Sequence, residues 1–361
     1  MIKMNRRMAL GSLFVSTIAG SFCGGAQSWG SVGEEADTLN WANDVLRFGK
    51  SARFETAPVL TGLTLQPRGS HMAIAGDDNR VRICNRETGE LVHLLTGHSE
   101  WVRDLAFSPD GEFLLSAGYD GRLLKWEVET GELASEVYRA SFPIAAMVLG
   151  QTTTIACVVG FSQNVCWLNW AESRCVGKTN VDCQDLRAVA VSPNENTWIT
   201  GGRNGTVYGL DLKTGRTIWE KTVHRRRIRD LKFSSDGQRI YSCGEDARIH
   251  VTHVRDAEKS FSLQSQHTKG QAIEPLGNGL IASAGTNNEI AIWDTQRRRL
   301  LGKLVGHDGS VTSLAFDGDR LYSSGYDTTV RIWKANPRFA EQPQTGIRVG
   351  RDPNSSQNSN K

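Results

Sequence analysis

The chain contains no Cys-x-x-Cys pair, so its seven cysteines lack the ligand spacing of a zinc site. It contains no glycine-rich phosphate loop, no nucleophile elbow and no fixed motif of paired catalytic carboxylates. Between its turn signals there is no helical periodicity of useful length, which disfavours a fold alternating strands and helices. Its apolar stretch from Met8 to Phe22 is interrupted by Gly, Ser and Thr. A bilayer crossing takes about 20 apolar residues, so no membrane span is expected. A surplus of charge is also missing. Setting aside residues 1–26 removes three of the 42 basic residues and none of the 39 acidic ones, leaving a balanced chain. Such a balance gives no global reason to expect a nucleic acid partner.

What the chain does have is a repeat. Segments ending at Cys84, Trp126, Leu168, Leu210, Thr252, Trp293 and Trp333 share one frame, with steps of 42, 42, 42, 42, 41 and 40 residues. A period of this size means stacked copies of one supersecondary unit. In the second copy, Val102, Leu105 and Phe107 alternate as one strand, and Ser108-Pro109-Asp110-Gly111 makes a turn. Phe113 to Ala117 is a second strand, and Tyr119-Asp120-Gly121 is a hairpin of the Asp-Gly type. Leu123 to Val128 and Leu133 to Val137 complete four antiparallel strands. A lone four-stranded sheet exposes both faces. Seven of them arranged around an axis bury those faces, so the expectation is an all-β, seven-bladed β-propeller.

Gly97-His98 and Gly306-His307 open two of the units, and Trp293-Asp294 closes another. Trp126-Glu127, Leu210-Asp211 and Trp333-Lys334 are partial matches to that closing pair. With these pairs, the chain from about residue 50 to 334 resembles the WD-repeat propeller family. The resemblance implies a structural hydrogen-bond set of His, Ser or Thr, Asp and Trp in each blade. The second unit supplies His98, Ser116, Asp120 and Trp126, and the seventh His307, Ser323, Asp327 and Trp333. The fifth has His224, Ser242 and Asp246, with Thr252 in place of Trp. An Asp-His-Ser trio invites confusion with a hydrolase triad. Here it recurs, with each Ser inside a strand, whereas an enzyme needs one activated nucleophile.

The seventh unit stops after three strands, at Asn336-Pro337. A strand from the N-terminal side, expected at Lys50 to Phe54, supplies the fourth and closes the ring. The domain order is then a signal segment 1–26, a linker 27–44, the propeller 45–336 and a polar, disordered tail 337–361. Lys3, Arg6 and Arg7 precede the apolar stretch, and Gly24-Gly25-Ala26 offers small residues for cleavage. Asn5 to Leu10 resembles a twin-arginine export signal. The expected location is periplasmic or extracellular; the alternative is a cytoplasmic protein with an uncleaved N-terminus. The cysteines at 84, 157, 166, 175, 183 and 243 are expected to be reduced and buried, Cys175 facing Leu168 rather than Cys166.

In the WD-repeat family, one face of the ring carries the loops before the inner strands and the second-to-third-strand hairpins, and that face commonly binds partners. Alignment places Trp101, Arg103, Tyr119, Arg187, Arg203, Arg227, Arg229, Glu245 and Tyr326 there. Exposed aromatic and arginine residues are typical of interface hot spots. The run from His224 to Arg229 adds a strongly basic segment. His250 and His253 are an odd number of residues apart on one strand, so they face opposite ways and should share no metal. The expected function is a non-catalytic, monomeric scaffold binding an unidentified protein partner, without cofactor or metal. Two alternatives stay open. Leu210 to Glu220 is similar to the repeat of quinone-cofactor dehydrogenase propellers and of outer-membrane assembly propellers, in which a Trp docks between blades. Here that Trp is Trp219, with no equivalent in the other units. Residues 224–229 could instead bind an anionic polymer or nucleic acid.

Overall fold

The computed structural model describes Leu39 and residues 41–47, 57–265 and 269–334. These residues form seven antiparallel sheets of four strands each. Six blades are built from consecutive strands: Leu60–Thr96, Val102–Arg139, Ile144–Asn180, Leu186–Thr222, Ile228–Gln264 and Gly270–Val305. The seventh combines three strands between Val311 and Lys334 with one N-terminal strand, Ala42–Arg47. No described helix is long and apolar enough to cross a membrane.

Alternating apolar side chains make each sheet two-faced, and the core lies between neighbouring blades. Ala73, Val81 and Ile83 of blade one pack against Leu105, Leu114 and Trp126 of blade two. Leu60, Leu63 and Met72 of blade one meet Tyr322, Val330 and Ile332 of blade seven, so the last interface repeats the others. Full burial of one such side chain contributes about 1.5–3 kcal/mol. Side chains add pins between inner strands. Asp104 accepts the Met147 amide at 2.7 Å, Asp230 accepts the Ile273 amide at 3.0 Å, and Thr312 Oγ1 donates to the Leu60 carbonyl at 2.8 Å.

Turn chemistry repeats with the blades. The hairpin between the second and third strands carries a residue at positive φ in six of them: Asn79, Gly121, Gly205, Ala247, Asn288 and Thr328. Gly and Asn accept this conformation readily; Ala247 and Thr328 hold it at a cost. The inner strands share a second device. Each has a bulge at the same place, falling at Thr61, Arg103, Ala145, Arg187, Arg229, Gln271 and Thr312. A bulge leaves one residue out of the ladder and re-aims its side chain. The repeated bulge sets the site described below.

The closing strand lies upstream of its expected position. Ala42–Arg47 pairs with Thr329–Lys334 through six residues, from Ala42 opposite Lys334 to Arg47 opposite Thr329. The expected Lys50–Phe54 lies outside the described residues. Leu39 and Trp41 extend the contact, packing among Ile292, Leu314 and Trp333. The strand therefore begins three residues before the expected domain start at 45, inside the segment read as linker. The 42-residue frame gave no guide here, because this strand comes from outside the repeat.

Removing residues 42–47 should open the seventh sheet and expose its edge. The expected result is a lower thermal midpoint and a shift to larger species in size-exclusion chromatography. Unchanged elution and midpoint would mean that another segment closes the ring.

Candidate functional site

The His–Ser–Asp–Trp residues form hydrogen-bonded chains. In blade two, Trp126 Nε1 donates to Ser116 Oγ at 2.8 Å, Ser116 Oγ meets His98 Nε2 at 2.8 Å, and His98 Nδ1 faces Asp120 at 3.0 Å. Asp120 also accepts the amides of Ser99 and Arg122, each at 3.0 Å, tying the entry loop to the hairpin. An ionised Asp only accepts, so the His proton sits on Nδ1, Nε2 accepts from Ser, and Ser accepts from Trp. Blade seven repeats the arrangement with His307, Ser323, Asp327 and Trp333 at 2.7 to 2.9 Å. In blade five His224 bridges Asp246 at 2.8 Å and Ser242 at 2.9 Å. All three Ser residues are buried with their hydroxyls committed, which leaves none exposed to a substrate. Burial raises the Asp120 and Asp246 carboxyls, but their hydrogen bonds from His and backbone amides win. The net result holds Asp120 below its ordinary value and Asp246 down to about 2.

Two blades depart from the pattern in instructive ways. Blade one, with Ile74 and Cys84 at the Ser and Trp positions, pairs Asp78 with Arg82 in a buried ion pair at 2.5 Å. In blade five the place next to His224 is filled by His250, whose ring stands edge-on at 4.4 Å. His224, Asp246 and His250 bring three ligand-type atoms within 4.8 Å of one another. Both nitrogens of His224 are already bonded, to Asp246 and Ser242, so the cluster is used by the hydrogen-bond set. His250 Nε2 is buried without a hydrogen-bond partner. Burial, then the nearby His224, pushes the His250 pKa down to about 4, so the ring is neutral at pH 7.

On the face carrying the entry loops, six of the nine sequence-predicted partner residues surround one opening. Trp101, Arg103, Tyr119, Arg187, Arg229 and Tyr326 line a mouth of about 180 Å³ at one end of the central channel. Their convergence follows from the bulges, because Arg103, Arg187 and Arg229 are three of the seven bulge residues. Trp101 stacks on Tyr119 with ring centroids 6.3 Å apart, and Tyr119 meets Phe161 edge-on at 5.2 Å. The Arg187 guanidinium lies 3.7 Å from the Phe161 centroid and donates to Tyr119 Oη at 3.2 Å. Such cation–π contacts hold a guanidinium in place without neutralising it.

The remaining predicted residues lie away from the opening. Arg187 Nε is 2.6 Å from Asp185 Oδ1, and Arg227 donates to Asp185 at 2.8 Å and to Glu245 at 3.1 Å. Arg229 Nε donates to the same Glu245 oxygen at 2.8 Å. Arg227 and Glu245 thus brace the arginines rather than line the mouth, and Arg203 stands exposed outside it. The expectation of a strongly basic run is corrected accordingly. His224 belongs to the blade-five set, Arg227 and Arg229 are ion-paired, and Arg225 and Arg226 are the exposed members. Phe161 and Asp185 were missed in the sequence, although the period marks both. Phe161 lies one period after Tyr119, and Asp185 two periods after Trp101.

Behind the mouth, the inner strands enclose a channel of about 640 Å³. Lys232 Nζ lies 3.6 Å from Glu274, with Asp104 and Asp230 near by. Burial pushes Glu274 up to about 7 and Asp104 up to about 6. One further expectation needs correction. Cys175 is exposed, while the other five described cysteines are buried; all six are free, and Cys175 faces Leu168. Trp219 has no Trp equivalent at its fourth-strand place, which is taken by His93, Ser135, Gly177, Phe261 and Gly302 in the blades with the same register. Trp219 lies over Gly209 across the blade-four pair, whereas in blade three Trp167 lies over Gly177. The two blades exchange which strand carries Trp and which Gly, and Trp219 packs on the core between blades four and five.

The family model described as "WD domain, G-beta repeat" matches residues 89–127, 215–252 and 298–334. The chain is 24% identical over 262 residues to apoptotic protease-activating factor 1 of Danio rerio, covering 72% of this chain and 20% of that protein. It is 23% identical over 306 residues to the guanine nucleotide-binding protein subunit beta of Arabidopsis thaliana, covering 74% and 78% respectively. To the periodic tryptophan protein 2 homolog of Dictyostelium discoideum it is 24% identical over 242 residues, covering 64% and 26%. The chain thus spans about a fifth of the length of the apoptotic factors it matches.

Replacing Asp120 with Ala leaves His98 and two amides without their acceptor. Stability should fall by about 1–3 kcal/mol, measured by denaturant unfolding; an unchanged value would remove the structural role. His250 gives a pH signature. Between its ordinary value of 6.5 and about 4, the unfolded chain binds a proton that folded His250 does not. Stability should therefore fall as pH drops through that window. His250→Phe should flatten this slope in thermal melts, and an identical slope in both proteins would exclude His250 as its source.

Proposed function

Since the chain is a member of the WD-repeat β-propeller family, we propose that it is a non-catalytic scaffold. In this reading a single ring binds a protein partner through the face around Trp101, Arg103, Tyr119, Arg187, Arg229 and Tyr326. The observation that carries this reading is the convergence of these residues, drawn from blades two, four, five and seven, on one opening. The fold alone would not suffice, because propellers host unrelated functions. The chemistry of the opening supports binding. Trp101 and Tyr326 are exposed large aromatics, and the arginines beside them are fixed by ion pairs and ring contacts. Preset side chains lose little freedom when a partner docks. One relative is by name a subunit, which agrees with a role inside an assembly. Export by the N-terminal segment is part of the proposal and rests on the sequence of residues 1–26.

Polymer binding through residues 224–229 is the weaker reading, since ion pairs occupy two of the arginines in that run. The enzyme reading rests on the likeness of Leu210 to Glu220 to a quinone-dehydrogenase repeat. It too is weaker, because Trp219 packs between blades four and five with no Trp at the same place in the other described blades.

The test is recovery of bound proteins from the native compartment with the natural chain and with the Trp101→Ala/Arg229→Ala variant. The variant should lose a partner that the natural chain retains, with comparable thermal unfolding in both. Recovery of the same proteins by both would overturn the assignment of this face.

A further inference from the structure

The mouth has a charge balance that narrows what its occupant can be. Of the seven bulge residues around the axis, three are arginines, and the others, Thr61, Ala145, Gln271 and Thr312, are neutral. The bracing network holds three guanidinium groups, Arg187, Arg227 and Arg229, against two carboxylates, Asp185 and Glu245, and Arg103 stands beside it as a fourth cation. Each carboxylate is shared by two arginines, so two positive charges remain uncompensated. Arg103 is the clearest case. No carboxylate pairs with it among the described residues, and its Nε is buried without a hydrogen-bond partner. Its one described contact of this kind is with the Tyr119 ring, 5.6 Å away. An unpartnered buried donor is costly to leave, and a ligand acceptor would relieve it.

Size and surroundings restrict the ligand further. The mouth itself holds about 180 Å³, room for a single side chain, and opens into the channel of about 640 Å³ behind it. Deeper in the channel the balance reverses, with Asp104, Asp230 and Glu274 facing Lys232. An anion would be attracted to the arginine ring and discouraged from passing it. Around the ring, Trp101, Phe161 and Tyr326 keep 42%, 41% and 54% of their surface exposed, offering an apolar rim.

Resting on the reading of this face as the binding surface, we propose that the axial mouth reads one anionic side chain of a partner peptide. Arg103, Arg187 and Arg229 receive its carboxylate or phosphate, and a neighbouring apolar residue of the peptide lies on Trp101 and Tyr326. The shared chemistry is an anionic group on an extended peptide; glutamate and phosphoserine are its two sources.

The experiment measures fluorescence anisotropy of labelled peptides with a Phe-X-Phe core, where X is glutamate, phosphoserine, glutamine or serine, on the full chain. The anionic peptides should bind about tenfold tighter than their neutral counterparts, as expected for a charge-assisted hydrogen bond. The stronger of the two identifies the source. Added salt should erase the preference. Arg103→Gln should remove it, Arg103→Lys should retain part of it, and Trp101→Ala should weaken all four peptides alike. Matched thermal midpoints establish that these variants are folded. Equal binding of charged and neutral peptides, or no binding of any, would overturn the anion assignment. The first result, if still sensitive to Trp101→Ala, would leave the face itself in place. Binding indifferent to both Trp101→Ala and Arg103→Gln would overturn the face as well. Tighter binding of a short single-stranded oligonucleotide than of any peptide would also overturn the proposal.

Discussion

The structure depends on the contact between its first and last blades. Each four-stranded sheet has two apolar faces, and a ring is what covers both. The contact of Leu60, Leu63 and Met72 with Tyr322, Val330 and Ile332 completes that cover, joining residues about 260 positions apart in the chain. Without it, two blades would each present a bare apolar face, and the central channel would have no defined width. The bulge side chains would then lose their common focus. The mouth is thus a product of closure, and its geometry is only as firm as that interface.

Much of this architecture was legible in the sequence because the repeat restates it. The Ser-Pro-Asp-Gly and Asp-Gly turns, the alternation of Val102, Leu105 and Phe107, and the His98–Ser116–Asp120–Trp126 set are all local signals. What was not legible came from outside the frame or from between blades. The closing strand Ala42–Arg47 belongs to no repeat, so counting periods could not place it. The Asp78–Arg82 pair replaces the expected set with different chemistry at the same hairpin. The ion pairs of Arg227 and Arg229 reach carboxylates at positions 185 and 245, which charge counting along the chain cannot see. Phe161 and Asp185 were within reach of the period, but neither carries one of the residue types that mark the repeat at those places in the second unit, Tyr119 and Trp101.

Two kinds of polar residue emerge on the same scaffold. One is buried, saturated and repeated: the His–Ser–Asp sets join entry loop to hairpin in blades two, five and seven. The other is placed by the bulges and differs from blade to blade. A bulge residue contributes little to the ladder on either side of it, so its identity is left open by the fold. This separation explains how one period yields both a uniform frame and a mouth with three arginines on an otherwise neutral ring.

The order of synthesis gives the closing strand a particular history. Ala42–Arg47 leaves the ribosome before any blade, yet its partner, Thr329–Lys334, is made after six blades are complete. Throughout that interval the segment has no ladder to join, and the first blade has one face uncovered. Unpaired strands and exposed apolar faces are the features that lead growing chains to aggregate. Completion of the last unit is therefore the step that covers both the waiting strand and the open face of the first blade.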